Sequence, residues 1–141
     1  MNLFYKFVIG IHMALYKVSR GVIGGSMVNL DVLLLTTTGR ISGKPRTTPL
    51  GFFREGDDYV LIASNGGSDS HPKWLFNLKN NPNVRIRIKD KEFSAIARQA
   101  TLEHRNHLWA RLLQLSPWYD RYAKRTQRVI PLVLLHPELS G

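Results

Sequence analysis

The sequence predicts a mainly β protein with helices, an α+β fold in which about six mostly antiparallel strands form a small barrel or paired sheets, with an N-terminal amphipathic helix. Short apolar and β-branched segments recur after residue 30, separated by glycine, proline and asparagine turns. The first 29 residues instead show helical spacing of their apolar residues. The 141 residues suffice for one hydrophobic core, so we expect one domain, residues 30–141, behind a separate segment of residues 1–29.

The N-terminal segment is amphipathic. Its basic residues Lys6, Lys17 and Arg20 lie away from an apolar stripe made of Leu3, Phe4, Phe7, Val8, Ile11, Leu15 and Val18. We expect a helix followed by a flexible stretch at residues 21–26. It packs on its own domain or on a partner subunit, or it lies on a membrane surface. A membrane-spanning helix is disfavoured, because the apolar stretch between Lys6 and Lys17 is much shorter than the roughly 20 residues that a bilayer crossing needs.

The first three strands follow in order. Residues 32–37 are a continuous apolar and β-branched run, typical of a buried strand. Residues 47–54 form a second strand that Pro49 interrupts, which indicates an edge or a bulge. A hairpin turn at residues 56–58 leads into a third strand at residues 59–64. That strand ends in Asn65, Gly66 and Gly67, a turn at which the backbone could closely approach a ligand.

The second half alternates helices and strands. A helix is predicted from Pro72 to about residue 80, where Asn81 and Pro82 stop it. Apolar and basic residues alternate along a fourth strand at residues 84–89, and residues 92–99 form a fifth. Thr101 is the expected N-cap of a helix that reaches about residue 115. Pro117 separates it from an aromatic helical piece, and residues 129–135 form the last strand.

The composition narrows the classes of function. The 20 Lys and Arg residues against 10 Asp and Glu residues give a charge of +10, which favours an anionic partner: a cofactor, a nucleic acid or an acidic lipid. Nucleic acid is disfavoured, because Arg85, Arg87 and Lys89 lack an interleaved aromatic platform. The absence of cysteine excludes disulfides, thiolate nucleophiles and cysteine-based metal sites, and it fits a cytoplasmic setting.

Residues 36–46, TTTGRISGKPR, place three cations and two glycines in a short turn between two predicted strands. Gly39 and Gly43 can adopt a positive φ, so that backbone N–H groups converge on an anion. Arg40, Lys44 and Arg46 add positive charge that a phosphate or carboxylate could share. The spacing differs from a Walker A loop. The turn is therefore either an anion-binding loop or a solvated basic turn.

Several blocks together resemble the deazaflavin (coenzyme F420)-dependent nitroreductase family, which is similar to the split β-barrel flavin reductases. The blocks are LLLTTTGR at 33–40, SGKPR at 42–46, PL at 49–50, ASNGG at 63–67, HPKWLFNL at 71–78 and NP at 81–82. The resemblance implies a split β-barrel oxidoreductase that transfers a hydride from reduced F420 to a quinone-like or nitroaromatic acceptor. The alternatives are an FMN-dependent reductase and a non-catalytic lipid- or cofactor-binding protein of the same fold.

The resemblance also implies which residues bind the coenzyme. The phosphate-side loop supplies Arg40, Ser42, Lys44 and Arg46, and Pro49 lies beside the ring. The strand end and turn that line the ring supply Ala63, Ser64, Asn65, Gly66 and Gly67, and the helix start that flanks the ring supplies Pro72 and Trp74. Ile41 and Asn65 stand where similar proteins commonly carry a basic residue, so we expect less positive charge near the coenzyme.

Residues 116–122, SPWYDRY, resemble the tyrosine-bearing substrate wall of the family and supply the candidate catalytic residues Tyr119 and Tyr122, with Ser64 as a third. Tyr119 or Ser64 could donate a hydrogen bond to the acceptor oxygen or position a water molecule. Ordinary aromatic packing is the alternative for both tyrosines. His104 and His107 lack a third metal ligand, so no metal site is predicted. The expected location is the cytoplasm, with peripheral contact at the inner face of the membrane through residues 1–29 as a further expectation.

Overall fold

The computed structural model describes residues 30–138, which form one closed barrel of six antiparallel strands. The strands follow one another around the barrel in the order β1, β2, β3, β6, β5, β4, and β4 pairs with β1 to close it. Their bounds are β1 Asp31–Thr38, β2 Pro45–Glu55, β3 Asp58–Ile62, β4 Asn83–Ile88, β5 Lys91–Gln99 and β6 Leu132–Pro137. The helices are α1 Lys73–Asn80, α2 Leu102–Leu115 and α3 Tyr119–Arg125, and a 3₁₀ turn spans Asn65–Gly67.

The predicted mainly β barrel with helices is therefore confirmed, and each of the six predicted strands is present. Pro49 lies opposite Leu34 of β1, in the half of β2 that precedes the pairing with β3 at Phe52–Glu55. Its missing N–H thus falls where β2 is bonded on one side within the described residues, as expected for an edge position. The predicted helix N-cap is also found, since the Thr101 hydroxyl accepts a hydrogen bond from the His104 backbone.

Two hydrophobic clusters stabilise the barrel. Its interior is filled by side chains from all six strands, and α1 closes one end with Trp74, Leu75 and Leu78. A second cluster covers the outside, where α2 and α3 pack against alternate residues of β2, β3 and β6. The helix α1 therefore belongs to the barrel core, which fixes its first turn relative to the neighbouring strand ends.

Most strand boundaries differ from the prediction by one to three residues, and two of these shifts have a clear cause in the backbone. β3 ends at Ile62, not at residue 64, because Ser64 adopts the helical backbone conformation that starts the 3₁₀ turn. β6 begins at Leu132, not at residue 129, because Pro131 has no N–H to donate to the ladder, although its carbonyl still accepts from the Ala63 backbone. Both changes lengthen the loops that meet beside α1.

The predicted amphipathic helix of residues 1–29 lies outside the described residues. Between residues 30 and 138, the helices are all too short or too polar to cross a bilayer.

Candidate functional site

A cleft of about 630 Å³ opens between the basic loop of residues 39–44, the start of β2 and the first turns of α1. Backbone hydrogen bonds of 2.8 Å close the loop, from Gly39 N to Lys44 O and from Gly43 N to Gly39 O. Gly43 has the expected positive φ of 71°, whereas Gly39 does not take one. Gly39 is needed for a different reason, because a Cβ there would lie 2.6 Å from the Ser42 hydroxyl.

The loop is anchored to α1 by Asn77, which is 8 % exposed. Its Oδ1 accepts a hydrogen bond of 3.0 Å from the Arg40 backbone, and its Nδ2 donates one of 3.1 Å to the Thr37 hydroxyl. One buried amide thus joins the helix to the end of β1 and to the loop that follows. This fixes the backbone on which the basic side chains stand.

Positive charge lines the cleft. Arg40, Arg46 and Lys73 contribute cations, and no carboxylate side chain of residues 30–138 lines it. The Arg40 guanidinium lies 5.4 Å from the centroid of the Phe76 ring, while Arg46 donates to the Ser42 hydroxyl at 3.3 Å. The cleft thus combines three cations with aromatic surface, which suits an anion that carries a flat ring.

A second group of predicted site residues lies at the end of β3. Asn65, Gly66 and Gly67 have positive φ values of 47°, 67° and 79°, so the chain turns sharply after Ser64. The guanidinium of Arg128 secures this segment by donating to the carbonyls of Ala63 at 3.2 Å, Ser64 at 2.7 Å and Ser68 at 2.8 Å.

The two predicted tyrosines pack against each other with ring centroids 5.5 Å apart. Tyr119 is 7 % exposed, and a Cβ added at Gly51 would lie 3.4 Å from its hydroxyl oxygen. Burial, and then the neighbouring Tyr122, raise the pKa of Tyr119 well above its ordinary value. Tyr119 therefore stays neutral at working pH and is a poor source of protons.

A row of contacts joins the two regions across the start of α1. Arg128 Nη1 lies 2.9 Å from His71 Nδ1. The His71 ring packs edge-on against the Phe76 ring, with their centroids 6.0 Å apart, and the Arg40 guanidinium lies over the same Phe76 ring. Pro72, the N-cap of α1, lies within this row. The cleft and the β3 turn thus border the same helix end.

The predicted residues accordingly fall into three sets. Arg40, Ser42, Arg46 and Trp74 line the cleft, although Trp74 is only 6 % exposed and belongs mainly to the core. Residues 63–67 form the β3 end and its turn, against which α3 with Tyr122 packs. Lys44 is exposed in the loop outside the cleft lining, and Pro49 is half-buried on β2.

Sequence reasoning missed two polar residues, Asn77 and Arg128. Asn77 lies three residues after Trp74 on the buried face of α1. A buried side-chain amide needs hydrogen-bond partners, so an asparagine at this position could have been predicted to bind a neighbouring segment. Arg128 had no local signal, because its partners lie 57 to 65 residues earlier in the chain. His104 is paired with Glu55 at 2.9 Å, and no metal-binding group of three acidic or histidine side chains occurs within residues 30–138.

Comparison with known proteins identifies the family. A family model described as F420H(2)-dependent quinone reductase matches residues 8–137. The chain belongs to this family. The F420H(2)-dependent quinone reductase Rv1261c of Mycobacterium tuberculosis is 38% identical over 131 residues, which cover 89% of this chain and 87% of that protein. The resemblance inferred from the sequence blocks is thus confirmed, as are the oxidoreductase class and the coenzyme F420 of the family.

Solved structures agree with this assignment. The F420-H2 dependent reductase FDR-A superposes with a TM-score of 0.67 at 39% identity, covering 74% of this chain and 93% of that chain. A domain-swapped dimer superposes with a TM-score of 0.68 at 33% identity, covering 86% of this chain and 96% of that chain. HutZ from Vibrio cholerae, at 20% identity and a TM-score of 0.54 over 78% of this chain and 83% of that chain, shows only that the fold is shared.

Proposed function

We propose that this protein is an F420H(2)-dependent quinone reductase that transfers a hydride from reduced F420 to a quinone-like acceptor, with nitroaromatic compounds as a second class of acceptor. The observation that carries the proposal is the cleft beside α1, which holds three cations and aromatic surface in a chain of this family. F420 is a polyanion with a phosphodiester and a glutamate tail, and the cleft volume is in the range of cofactor sites. The residues present therefore fit the coenzyme.

The acidic tail of the coenzyme would be held by Arg40, Arg46 and Lys73, with hydrogen bonds from Ser42. The positive end of the α1 dipole adds a favourable field for an anion, although the Leu75 N–H of the first turn already donates to the Pro72 carbonyl at 3.1 Å. Ile41 is 88 % exposed at the mouth of the cleft and contributes no charge there. A basic residue at this position would strengthen capture of the tail, so we propose that Ile41 lowers coenzyme affinity.

The ring would lie along α1 toward the β3 turn, in contact with Trp74, Phe76 and the backbone of residues 63–67, with Pro49 and Pro72 at its margins, whereas Lys44 belongs to the phosphate-side loop. This assignment is supported by the row of contacts from Arg40 through Phe76 and His71 to the turn. Gly66, which is exposed and has open space where a Cβ would stand, allows close approach of a flat ligand to that turn, whereas Gly67 is buried against α3.

Reduced F420 supplies a hydride to the acceptor when it is bound. The chain orients the acceptor and stabilises the negative charge that develops on the acceptor oxygen. Tyr119 would donate a hydrogen bond in its neutral form, and the hydroxyl of Ser64 is the second donor. Because the raised pKa of Tyr119 opposes loss of its proton, we propose that a water molecule delivers the proton while these hydroxyls position it.

Titration of the purified full chain with F420 and, separately, with FMN tests the coenzyme assignment. We expect saturable binding of F420 that weakens with salt, and much weaker binding of FMN. Oxidation of reduced F420 is then followed by absorbance under anaerobic conditions with a menaquinone analogue and a nitroaromatic compound. Tight F420 binding without turnover of any acceptor would favour the non-catalytic binding protein, and preferential FMN binding would contradict the proposal.

We further propose that residues 1–29 form an amphipathic unit that contacts the inner face of the cell membrane, with the barrel in the cytoplasm. The support is the apolar stripe flanked by basic residues. Flotation of the full chain with anionic liposomes should exceed that of a chain lacking residues 1–29. Equal flotation of both chains would contradict this role.

A further inference from the structure

Arg128 gathers an unusual set of acceptors around one guanidinium. Besides the three carbonyls at the end of β3, its Nη1 lies 2.9 Å from Nδ1 of His71. The nine residues 63–71 therefore curve around a single side chain that enters from the segment after α3. A planar group with five donors in fixed directions suits this task, whereas an ammonium group cannot reach all four acceptors with the same geometry.

The contact with His71 fixes the position of a proton. A guanidinium only donates hydrogen bonds, so Nδ1 of His71 must accept, and the imidazole proton must reside on Nε2. The ring is then neutral. Burial, followed by the positive charges of Arg128 and Lys79, lowers the pKa of His71 below its ordinary value, which agrees with this form. The charged group that faces Arg128 from the same loop is Asp69, whose carboxylate accepts from the Thr126 hydroxyl at 2.9 Å.

We propose that Arg128 is a positioning residue with two linked tasks: it sets the shape of residues 63–71, and it holds His71 as the neutral Nε2–H tautomer. His71 then offers a hydrogen-bond donor, not a positive charge, beside the start of α1. This inference deepens the proposed function and rests on it in one respect, namely that the ordered segment and the Nε2–H donor serve the bound coenzyme. The half-buried position of His71 between Arg128 and Phe76 places that donor between the cleft and the β3 turn.

The first test needs no ligand. The full chain labelled with ¹⁵N-histidine is examined by long-range ¹H–¹⁵N spectra over a pH series, with His71 assigned from the His71→Gln variant. We expect a single Nε2–H tautomer near neutral pH and an apparent pKa below the ordinary value of about 6.5. An Nδ1–H tautomer, or a charged ring near neutral pH, would overturn the proposal whether or not any Arg128 variant folds.

Variants then separate the two tasks of Arg128. Arg128→Met should raise the pKa of His71 and allow both tautomers, because the donor and its charge are gone. Arg128→Lys keeps the charge, so it should retain part of the lowered pKa while losing the bonds to the three carbonyls. Arg98→Met removes the same charge from an exposed site on β5 and should leave the His71 signals unchanged. Unchanged His71 signals in folded Arg128→Met would contradict the proposal.

Coenzyme titration distinguishes this inference from the proposed function. We expect Arg128→Met to bind F420 about 10-fold more weakly than the unaltered chain, with Arg128→Lys intermediate and Arg98→Met near the unaltered value. Wild-type affinity in Arg128→Met would overturn the positioning role even if His71 has the expected tautomer. Failure of the unaltered chain to oxidise reduced F420 would instead count against the proposed function and would leave the histidine spectra as a separate result.

Discussion

Replacement of Asn77 by alanine should both destabilise the barrel and loosen the basic loop. The change removes two hydrogen bonds, at about 1 kcal/mol each, and leaves the Thr37 hydroxyl, 2 % exposed, without this donor. An unpaired buried hydroxyl costs a further ~1–2 kcal/mol, whereas the Arg40 backbone N–H belongs to an exposed residue and can bind water. We therefore expect the free energy of unfolding to fall by about 3 kcal/mol.

Urea denaturation of the full chain measures this loss, and a drop in Tm of roughly 9 °C should accompany it. The matched control is Asn80→Ala, in which the same change is made at the exposed last residue of α1, with an expected effect within about 0.5 kcal/mol. F420 affinity should also decrease, because the Arg40 backbone is no longer tied to α1.

A double-mutant cycle with Thr37→Val identifies the cause. Thr37→Val removes the partner that Asn77→Ala leaves unpaired, so the double variant should lose about 1 kcal/mol less than the sum of the single changes. Strict additivity would mean that the hydrogen bond between Asn77 and Thr37 does not contribute. A loss below about 0.5 kcal/mol in Asn77→Ala would refute the anchoring role itself.

Three further changes address the site. Arg46→Gln should weaken F420 binding about 3- to 10-fold at low salt and less at high salt, with Arg98→Gln as the charge-matched control in a titration series. Tyr119→Phe should lower kcat without altering the pH dependence of kcat between about pH 6 and 9, because burial raises the pKa of the phenol. An ionisation that is seen in the unaltered chain and disappears in the variant would contradict this expectation. Gly67→Ala should lower the free energy of unfolding, measured by urea denaturation, by about 1–3 kcal/mol, because a Cβ there would meet Arg125 and Tyr122 at 3.1–3.2 Å. The control Gly56→Ala is also at a positive φ but lies in open space, so it should lower the free energy of unfolding less.

The strands could be predicted because their signals are local. Alternating apolar residues, paired turns and the prolines at 72 and 82 identify each element without reference to the rest of the chain. The predicted start of β6 was wrong because it depends on which residue near Pro131 first pairs with β3. Strand pairing decides this, and the local composition does not. The cations of this turn were likewise identified by a local motif: Arg40 and Lys44 lie in the basic loop with Ser42, and Arg46 follows at the start of β2.

The residues that hold the loops of the site in place could not be predicted in the same way. Asn77 and Arg128 act on partners far along the chain, and an isolated asparagine or arginine in a sequence does not indicate which backbone group it binds. The positive φ at Asn65 is another such case, because a non-glycine residue adopts it only when the surrounding contacts require it. Here those contacts include the Asn65 side-chain bonds to the Ser68 hydroxyl and the Ser70 carbonyl.

Helix α1 would let one surface serve both the tail and the ring of the proposed coenzyme. Its buried face joins the barrel core through Leu75 and Leu78, so the helix cannot shift without disturbing that packing. The same buried face carries Asn77, which holds the basic loop, and the exposed side carries Phe76, which contacts both Arg40 and His71. The basic loop is therefore positioned by a rigid element, and the β3 turn, which Arg128 shapes, borders the start of that element through His71. A change that weakens α1 should reduce coenzyme affinity and stability together, whereas a change in an exposed loop cation should reduce affinity alone.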